Sequence, residues 1–178
     1  AKHALVSPRA VIDFMVRDTA NPSSICSCLQ AARENARAVR GSLTTEVWET
    51  HNDTWLGLQK PLAERQPERD PQAFFEWVKF RSHLSRGVTV GTMLQDEAFH
   101  FMRLGTFLER ADNTARLLDV KFDELAPSGD AEDEYYQWGA LLRSVSAFEI
   151  YRKVYRDVIT PQRVAELLSA DPGPRTLG

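Results

Sequence analysis

The chain has 178 residues, 43% of them hydrophobic, with 22 basic and 25 acidic side chains that leave a formal net charge of −3. This apolar content excludes a disordered chain, and the charge balance leaves no electrostatic footprint for nucleic acid. The two cysteines cannot form a disulfide framework, and no apolar run approaches the roughly 20 residues that span a bilayer. We therefore expect a cytoplasmic globular protein that binds neither nucleic acid nor membrane.

Polar caps followed by proline mark where helices should begin. The cap side chain accepts a hydrogen bond from a free amide, and proline lacks the N–H that would go unpaired there. This pattern predicts four helix starts, at Ser7-Pro8, Asn21-Pro22, Asp70-Pro71 and Thr160-Pro161. A fifth short helix is predicted over residues 44–58, and glycines at 41 and 87 are predicted to end helices.

Two longer segments contain no proline. One covers residues 92–125, with Thr92 and Gln95 as a capping box, and would span about 50 Å as a helix. The other covers residues 131–160 and would reach about 45 Å. The short connection between them favours antiparallel packing, and residues 87–91 are expected to form a turn. No segment alternates like a strand, so we predict an all-α single domain over residues 1–178: a bundle of two long antiparallel helices and five shorter ones.

One sector of the first long helix forms an apolar stripe that we expect to face the core. It comprises Glu97, Leu104, Leu108, Ala111, Ala115, Leu118 and Phe122.

In the opposite sector, apolar residues bracket a polar middle, which predicts a helix covered on both sides and a polar cluster buried inside the bundle. The polar residues are Glu109, Asp112, Asn113 and Arg116. Such a cluster either pairs internally to fix helix register or uses its arginines to bind a carboxylate, phosphate or peptide end. The residues leave both interpretations open.

Two other patterns in the sequence are typical of functional sites, a Glu-x-x-His string and a pair of neighbouring cysteines. Glu97 and His100 form one Glu-x-x-His string, but a carboxylate-bridged metal site needs two, so we predict no metal centre. Cys26 and Cys28 lie two apart on a predicted helix and point away from each other, and we expect both to be at least half-buried structural residues. We expect the large aromatic residues to belong to the core, namely Trp48, Trp55, Trp77, Trp138, Phe74, Phe75 and Phe80.

The run from Phe101 to Val120 resembles the Alpha-E domain family, a bacterial helical family named for a Glu-Arg motif, here Glu109-Arg110. Supporting stretches lie at residues 21–24, 31–37 and 141–147. The resemblance implies an all-helical protein whose relatives are often encoded with or fused to ATP-grasp-type ligases and transglutaminase-like peptidases.

The resemblance also implies which residues form a binding site. The motif positions are Glu109, Arg110, Asp112, Asn113 and Arg116, with possible companions at Arg33, Glu34, Asn35, Arg37, Arg143 and Glu149. Family members usually begin with another helix that carries its own Glu-Arg motif. No such segment is present here, so we expect the chain to be the middle and C-terminal part of a longer protein.

Two kinds of function follow as hypotheses. The first is a helical accessory or binding module that works with an ATP-grasp-type ligase, and with the peptidase, in peptide synthesis or modification. The alternative is an enzyme that uses a buried carboxylate–arginine cluster on an amide or acyl-phosphate substrate, with a metal-binding carboxylate–histidine bundle as a weaker third. No cofactor is predicted, and self-association is left open.

Overall fold

The computed structural model describes residues 7–124 and 131–170, with the backbone alone at residues 121–124, 131–133 and 170. All regular secondary structure in these ranges is helical, which confirms the all-α prediction. The helices are α1 (Pro8–Val16), α2 (Ile25–Ala38), α3 (Thr45–Ala63), α4 (Gln66–Arg69), α5 (Pro71–Thr92), α6 (Glu97–Glu124), α7 (Ala131–Ser144), α8 (Phe148–Val154) and α9 (Pro161–Ala170). The chain divides into two compact units, Ala1–Phe101 and Met102–Gly178.

Local capping chemistry confirms most of the predicted helix starts. The Ser7 hydroxyl accepts a hydrogen bond from the Ala10 amide at 3.2 Å, and the Asp70 carboxylate accepts one from the Ala73 amide at 3.0 Å. Helix α3 begins after Thr44, and α9 begins at Pro161 as expected. These starts were predictable because cap and proline act within one helical turn.

Two helices start later than predicted because a nearer side chain takes the cap. At α2 the Ser24 hydroxyl accepts from the Ser27 amide at 3.2 Å, while Asn21 accepts from the Ser23 amide at 3.0 Å within a turn. At α6 the Asp96 carboxylate accepts from the Phe99 amide at 3.1 Å. Thr92, the predicted cap, is instead the last residue of α5.

Residues 87–91 do not form the predicted turn, since α5 runs through both glycines to Thr92. Apart from the neighbouring backbone of α5 itself, no atom of the described residues lies within 4 Å of a Cβ placed on Gly87 or Gly91, so neither glycine is required by close packing. A glycine inside a helix costs only about 1 kcal/mol, which the rest of a 22-residue helix can absorb. The short helix α4 was not predicted.

The predicted helix over residues 131–160 is wrong, because α7 ends at Ser144. Ser146 adopts the left-handed conformation with φ 58°. The Ala147 amide then donates to the Leu142 carbonyl at 2.8 Å and the Ser146 amide to the Arg143 carbonyl at 3.0 Å, the pair of bonds that defines a Schellman cap. The signal was missed because glycine, not serine, normally marks this position.

We expect Ser146→Gly to raise the free energy of unfolding by about 0.5–1 kcal/mol, because a side chain in the left-handed region carries a steric penalty that glycine lacks. Ala140→Gly is the matched control, since Ala140 is exposed inside α7 and should lose about 1 kcal/mol. Urea unfolding measures both. If Ser146→Gly destabilised the protein as Ala140→Gly does, the assignment of this helix end would be contradicted.

The N-terminal unit has its own core at the junction of α1, α2, α3 and α5. Its buried members are Val16, Cys26, Leu58 and Phe74, flanked by the partly buried Ile12, Ile25, Leu29, Trp55, Leu62, Trp77 and Val78. The prediction that the large aromatic residues belong to the core holds only in part. Phe75 and Phe80 are exposed. Trp48 is half-buried, and the Arg40 guanidinium lies 5.0 Å from its ring. Cys26 is buried as predicted, but Cys28 is exposed.

A polar layer joins α3 to α5 within this unit. Arg81 donates to the Thr54 hydroxyl at 2.7 Å and to the Thr50 carbonyl at 3.1 Å. One turn further along α5, the Ser85 hydroxyl lies 3.3 Å from Nε2 of the half-buried His51. Burial lowers the pKa of His51 below its ordinary value of 6.5, since it penalises the charged form.

Because the folded state disfavours the protonated imidazole, the stability that His51 contributes is complete above about pH 6.5 and is lost as the pH falls below it. We therefore expect the unfolding midpoint to fall more between pH 7.5 and 5.5 in the native protein than in His51→Gln. Thermal denaturation across this range measures the difference. Equal slopes in the two proteins would refute the assignment.

The C-terminal unit has a core formed by α7, α8 and α9. Its buried members are Trp138, Leu141, Leu142, Ala147, Tyr151, Ile159, Val164, Leu167 and Leu168, and Trp138 also belongs to the predicted aromatic core. The Tyr151 hydroxyl donates to the Val158 carbonyl at 3.0 Å and accepts from the Thr160 amide at 3.2 Å, which holds the segment between α8 and α9. Within residues 7–124 and 131–170, no helix combines the length and apolar character needed to cross a bilayer.

Candidate functional site

The Glu-Arg motif lies near the middle of α6, but its polar residues are not buried. Glu109, Asp112, Asn113 and Arg116 are exposed, and Arg110 is half-buried. The prediction of a polar cluster sealed inside the bundle is therefore wrong. A buried carboxylate–arginine cluster, which the enzyme hypothesis requires, does not occur at these positions. Their roles as binding residues stay a prediction.

Asp112 and Arg116 form the ion pair that their spacing predicts. Nε of Arg116 lies 2.8 Å from Oδ2 of Asp112, one turn earlier on the same helix. The hydrogen bond to Asp112 and its charge raise the pKa of Arg116. Both side chains are exposed, so water and salt screen the pair, and its contribution to stability is small. A ligand or partner can reach it.

The side of α6 that turns inward shares only Leu118 with the predicted stripe, and the side chain of Phe122, another predicted member, lies outside the described residues. Beyond Met102, the partly buried positions of α6 are Arg110, Thr114 and Leu118, each four residues apart, and Leu118 packs against the C-terminal core. The Thr114 hydroxyl donates to the Arg110 carbonyl at 2.8 Å along the same line. This line lies to one side of the predicted stripe on the helical wheel.

We call Leu104, Leu108, Ala111 and Ala115 the α6 stripe, and all four are exposed. Leu104 is 51% exposed and Leu108 is 62% exposed, values typical of surface positions. The physical reason lies in the second helix, which was expected to cover the stripe along its length but ends at Ser144. Helices α7, α8 and α9 instead bury their apolar side chains mainly against one another.

The α6 stripe has a polar border. Its members follow one another at intervals of four, three and four residues, which places them on one face of the helix. At 100° per residue, Asp112 lies about 40° and Arg116 about 80° round the helix from Leu108, so the ion pair flanks one edge of that face. An apolar strip bordered by reachable charges has the anatomy of a protein–protein interface.

Predicted companions on α2 form a separate cluster in the N-terminal unit. Nη1 of Arg33 lies 2.7 Å from Oε1 of Glu34, and Nη1 of Arg37 lies 3.7 Å from Oε2 of the same carboxylate. Arg33 also donates from Nε to the Asn52 side chain at 2.9 Å. Asn35 is exposed. The two arginines share one carboxylate, so the cluster keeps one positive charge, and Arg33 anchors α2 to α3.

The remaining companions belong to α7 and α8. The Arg143 guanidinium lies 4.1 Å from the centroid of the Phe148 ring, a cation–π contact across the Schellman cap. Glu149 is exposed on α8. In the part of the chain that the structure describes, no hydrogen bond or ion pair joins either residue to the motif on α6. The structure thus separates these companions from the motif.

The weak metal candidates do not gather further ligands. Glu97 and His100 are both exposed at the start of α6, where the His100 ring contacts the Phe99 ring edge-on at 5.7 Å. Among residues 7–124 and 131–170, no group of three or more His, Cys, Asp or Glu side chains is placed to hold a metal ion.

Burial raises the pKa of the Cys26 thiol, so this residue is a poor nucleophile.

Comparison with known proteins agrees with the helical architecture and the motif. The family model Alpha-E, described as a predicted alpha-helical domain with a conserved ER motif, matches residues 1–177. No match was found among curated proteins or among solved structures. Because the match extends over essentially the whole sequence, the chain belongs to the Alpha-E family.

Proposed function

We propose that this protein is a binding module that docks an ATP-grasp-type ligase through the α6 stripe and so takes part in peptide synthesis or modification. The observation that carries the proposal is the exposure of Leu104 and Leu108 in the first half of the 28-residue helix α6. The choice of partner rests on the enzymes that accompany members of this family. The transglutaminase-like peptidase is the second candidate partner.

The energetics favour a partner on this face. An isolated helix is only marginally stable in water, and most helices depend on packing an apolar side against something else. Removing an exposed leucine side chain from water contributes about 1.5–3 kcal/mol. Apolar surface grouped on one face and bordered by charges typically marks an interaction site.

Small residues shape the same face. Ala111 and Ala115 continue the stripe beyond the two leucines and let a partner's backbone approach α6 closely. The two leucines then act as anchors, and the Asp112–Arg116 pair borders the contact, where charge fixes orientation more than affinity. We assign Glu109 and Asn113, which are exposed on the same polar flank, to contacts with the ligase or with its peptide substrate.

Co-purification tests the proposal. The tagged full chain is co-expressed with the ATP-grasp-type ligase of its own organism and, separately, with the transglutaminase-like peptidase. We expect a stable complex with the ligase in size-exclusion chromatography. Binding of the peptidase alone would redirect the proposal to that enzyme, and failure to bind either would contradict it.

A further inference from the structure

A second surface feature lies in the N-terminal unit, where sequence patterns indicated no site. A cleft of about 410 Å³ is lined by three guanidinium groups, from Arg9, Arg17 and Arg65, and by the two carboxylates of Asp13 and Glu68. This volume falls in the range of small-ligand sites. The cleft therefore carries one positive charge more than its own acids balance.

Arg17 engages one of the two carboxylates closely, that of Glu68, and approaches Asp13 only at the limit of an ion pair. Its Nη2 donates to Oε2 of Glu68 at 2.9 Å, its Nη1 donates to the Leu62 carbonyl at 3.1 Å, and its Nε lies 4.0 Å from Oδ1 of Asp13. Burial opposes ionisation of Glu68, but the hydrogen bond and charge of Arg17 still hold its pKa below the ordinary value. Arg17 thus balances the charge of Glu68, while Asp13 remains an exposed carboxylate in the cleft beside Arg9 and Arg65.

The other two arginines remain available. Arg9 and Arg65 are exposed, and neither forms an ion pair or side-chain hydrogen bond within residues 7–124 and 131–170. Arg9 occupies the first turn of α1, where the helix dipole disfavours a cation. Arg65 has φ 52°, a backbone region that favours glycine. The charge of Arg65 also helps to lower the pKa of Glu68, so Arg65 interacts with that carboxylate without a direct ion pair. Each arginine therefore sits at a locally unfavourable position, and within the described residues no ion pair compensates it.

We propose that this cleft binds an oxyanion, a phosphate or carboxylate group, held by the guanidiniums of Arg9 and Arg65. Guanidinium matches the planar, two-oxygen geometry of both groups and binds them through paired N–H donors. The N-terminus of α1, which Ser7 caps, adds a favourable field at the same edge, and the Ser7 hydroxyl, which accepts from the Ala10 amide, can still donate to the bound anion. The site is separate from the α6 stripe and does not depend on the function proposed for it.

Titration of the full chain tests the site by NMR at constant ionic strength, with inorganic phosphate in one arm and succinate in the other. We expect saturable shifts of the amides around residues 7–10 and 65–68 with at least one probe. Saturation with phosphate alone identifies a phosphate site, and saturation with succinate alone identifies a carboxylate site. Absence of saturable shifts with both probes would overturn the proposal.

Charge-matched variants separate the site from general electrostatics. The double change Arg9→Gln and Arg65→Gln should weaken binding at least tenfold. Lys79→Gln with Arg86→Gln, two exposed cations on α5, should leave binding within twofold of the native protein. Arg65→Gly should weaken binding while raising the unfolding midpoint, so that loss of the site is not confused with loss of the fold. Unchanged affinity in the first variant would contradict the assignment.

Discussion

Replacing Leu142 by alanine is expected to lower the free energy of unfolding by about 2–5 kcal/mol, because it leaves a cavity in the C-terminal core. Leu142 is fully buried on α7 and packs among residues of α8 and α9. A loss of this size is a large fraction of the 5–15 kcal/mol that stabilises an ordinary domain. Urea unfolding followed by near-ultraviolet circular dichroism reports it, because Trp138 lies in the same core.

Leu108→Ala is the matched control for this change. Leu108 is 62% exposed on α6, so its truncation should alter the free energy of unfolding by no more than about 0.5 kcal/mol. The comparison decides which leucines form the core of the C-terminal unit. If the two variants were equally unstable, α6 would bury its stripe as the sequence pattern predicted, and the exposed docking face would not exist.

The second large effect concerns binding. The double change Leu104→Asp and Leu108→Asp should weaken association with the ATP-grasp-type ligase at least 100-fold. Losing two anchors worth about 1.5–3 kcal/mol each accounts for this reduction, since every 1.4 kcal/mol is a factor of ten. Both positions are exposed, so the unfolding midpoint should stay near that of the native protein. Isothermal titration calorimetry with purified ligase measures the change.

A second pair of exposed apolar residues controls for general loss of hydrophobic surface. Val154 and Val158 are 58% and 63% exposed in the same unit, at the end of α8 and in the segment that follows it. Val154→Asp with Val158→Asp should bind the ligase with native affinity. Equal weakening by both double variants would show that the α6 stripe has no special role.

Helix starts were predictable because their cause is local. Ser7, Asp70 and Thr44 each accept a hydrogen bond from the amide three residues later, and this geometry follows from the order of residues alone. The end of α7 was not predictable in the same way. Ser146 takes the left-handed conformation there, although serine gives no sequence signal for it.

The motif was visible in the sequence, but its burial was not. Periodicity correctly placed Leu104 and Leu108 on one face of α6, yet it could not tell whether another element would reach that face. The answer depended on where α7 ended, some 40 residues further along the chain. Because the end of α7 was predicted 16 residues too late, the exposed α6 stripe was predicted to lie in the core.

The cleft in the N-terminal unit depends on contacts that no local pattern encodes. Arg17 and Glu68 are 51 residues apart in sequence, and their ion pair forms only after α1 and α4 have packed together. The left-handed backbone conformation of Arg65 could not be predicted either, because arginine is not a residue type that marks a positive φ in the sequence. A pair of residues this far apart in sequence can be recognised only once the packing of α1 against α4 is known.

Hydrogen–deuterium exchange of the full chain, with and without the ATP-grasp-type ligase, tests the proposed docking face most directly. Binding through the α6 stripe predicts that amides of residues 104–116 exchange more slowly in the complex, while those of α7 and α9 in the buried core change little. Protection confined to other helices, or no protection of residues 104–116 at saturating ligase, would contradict it.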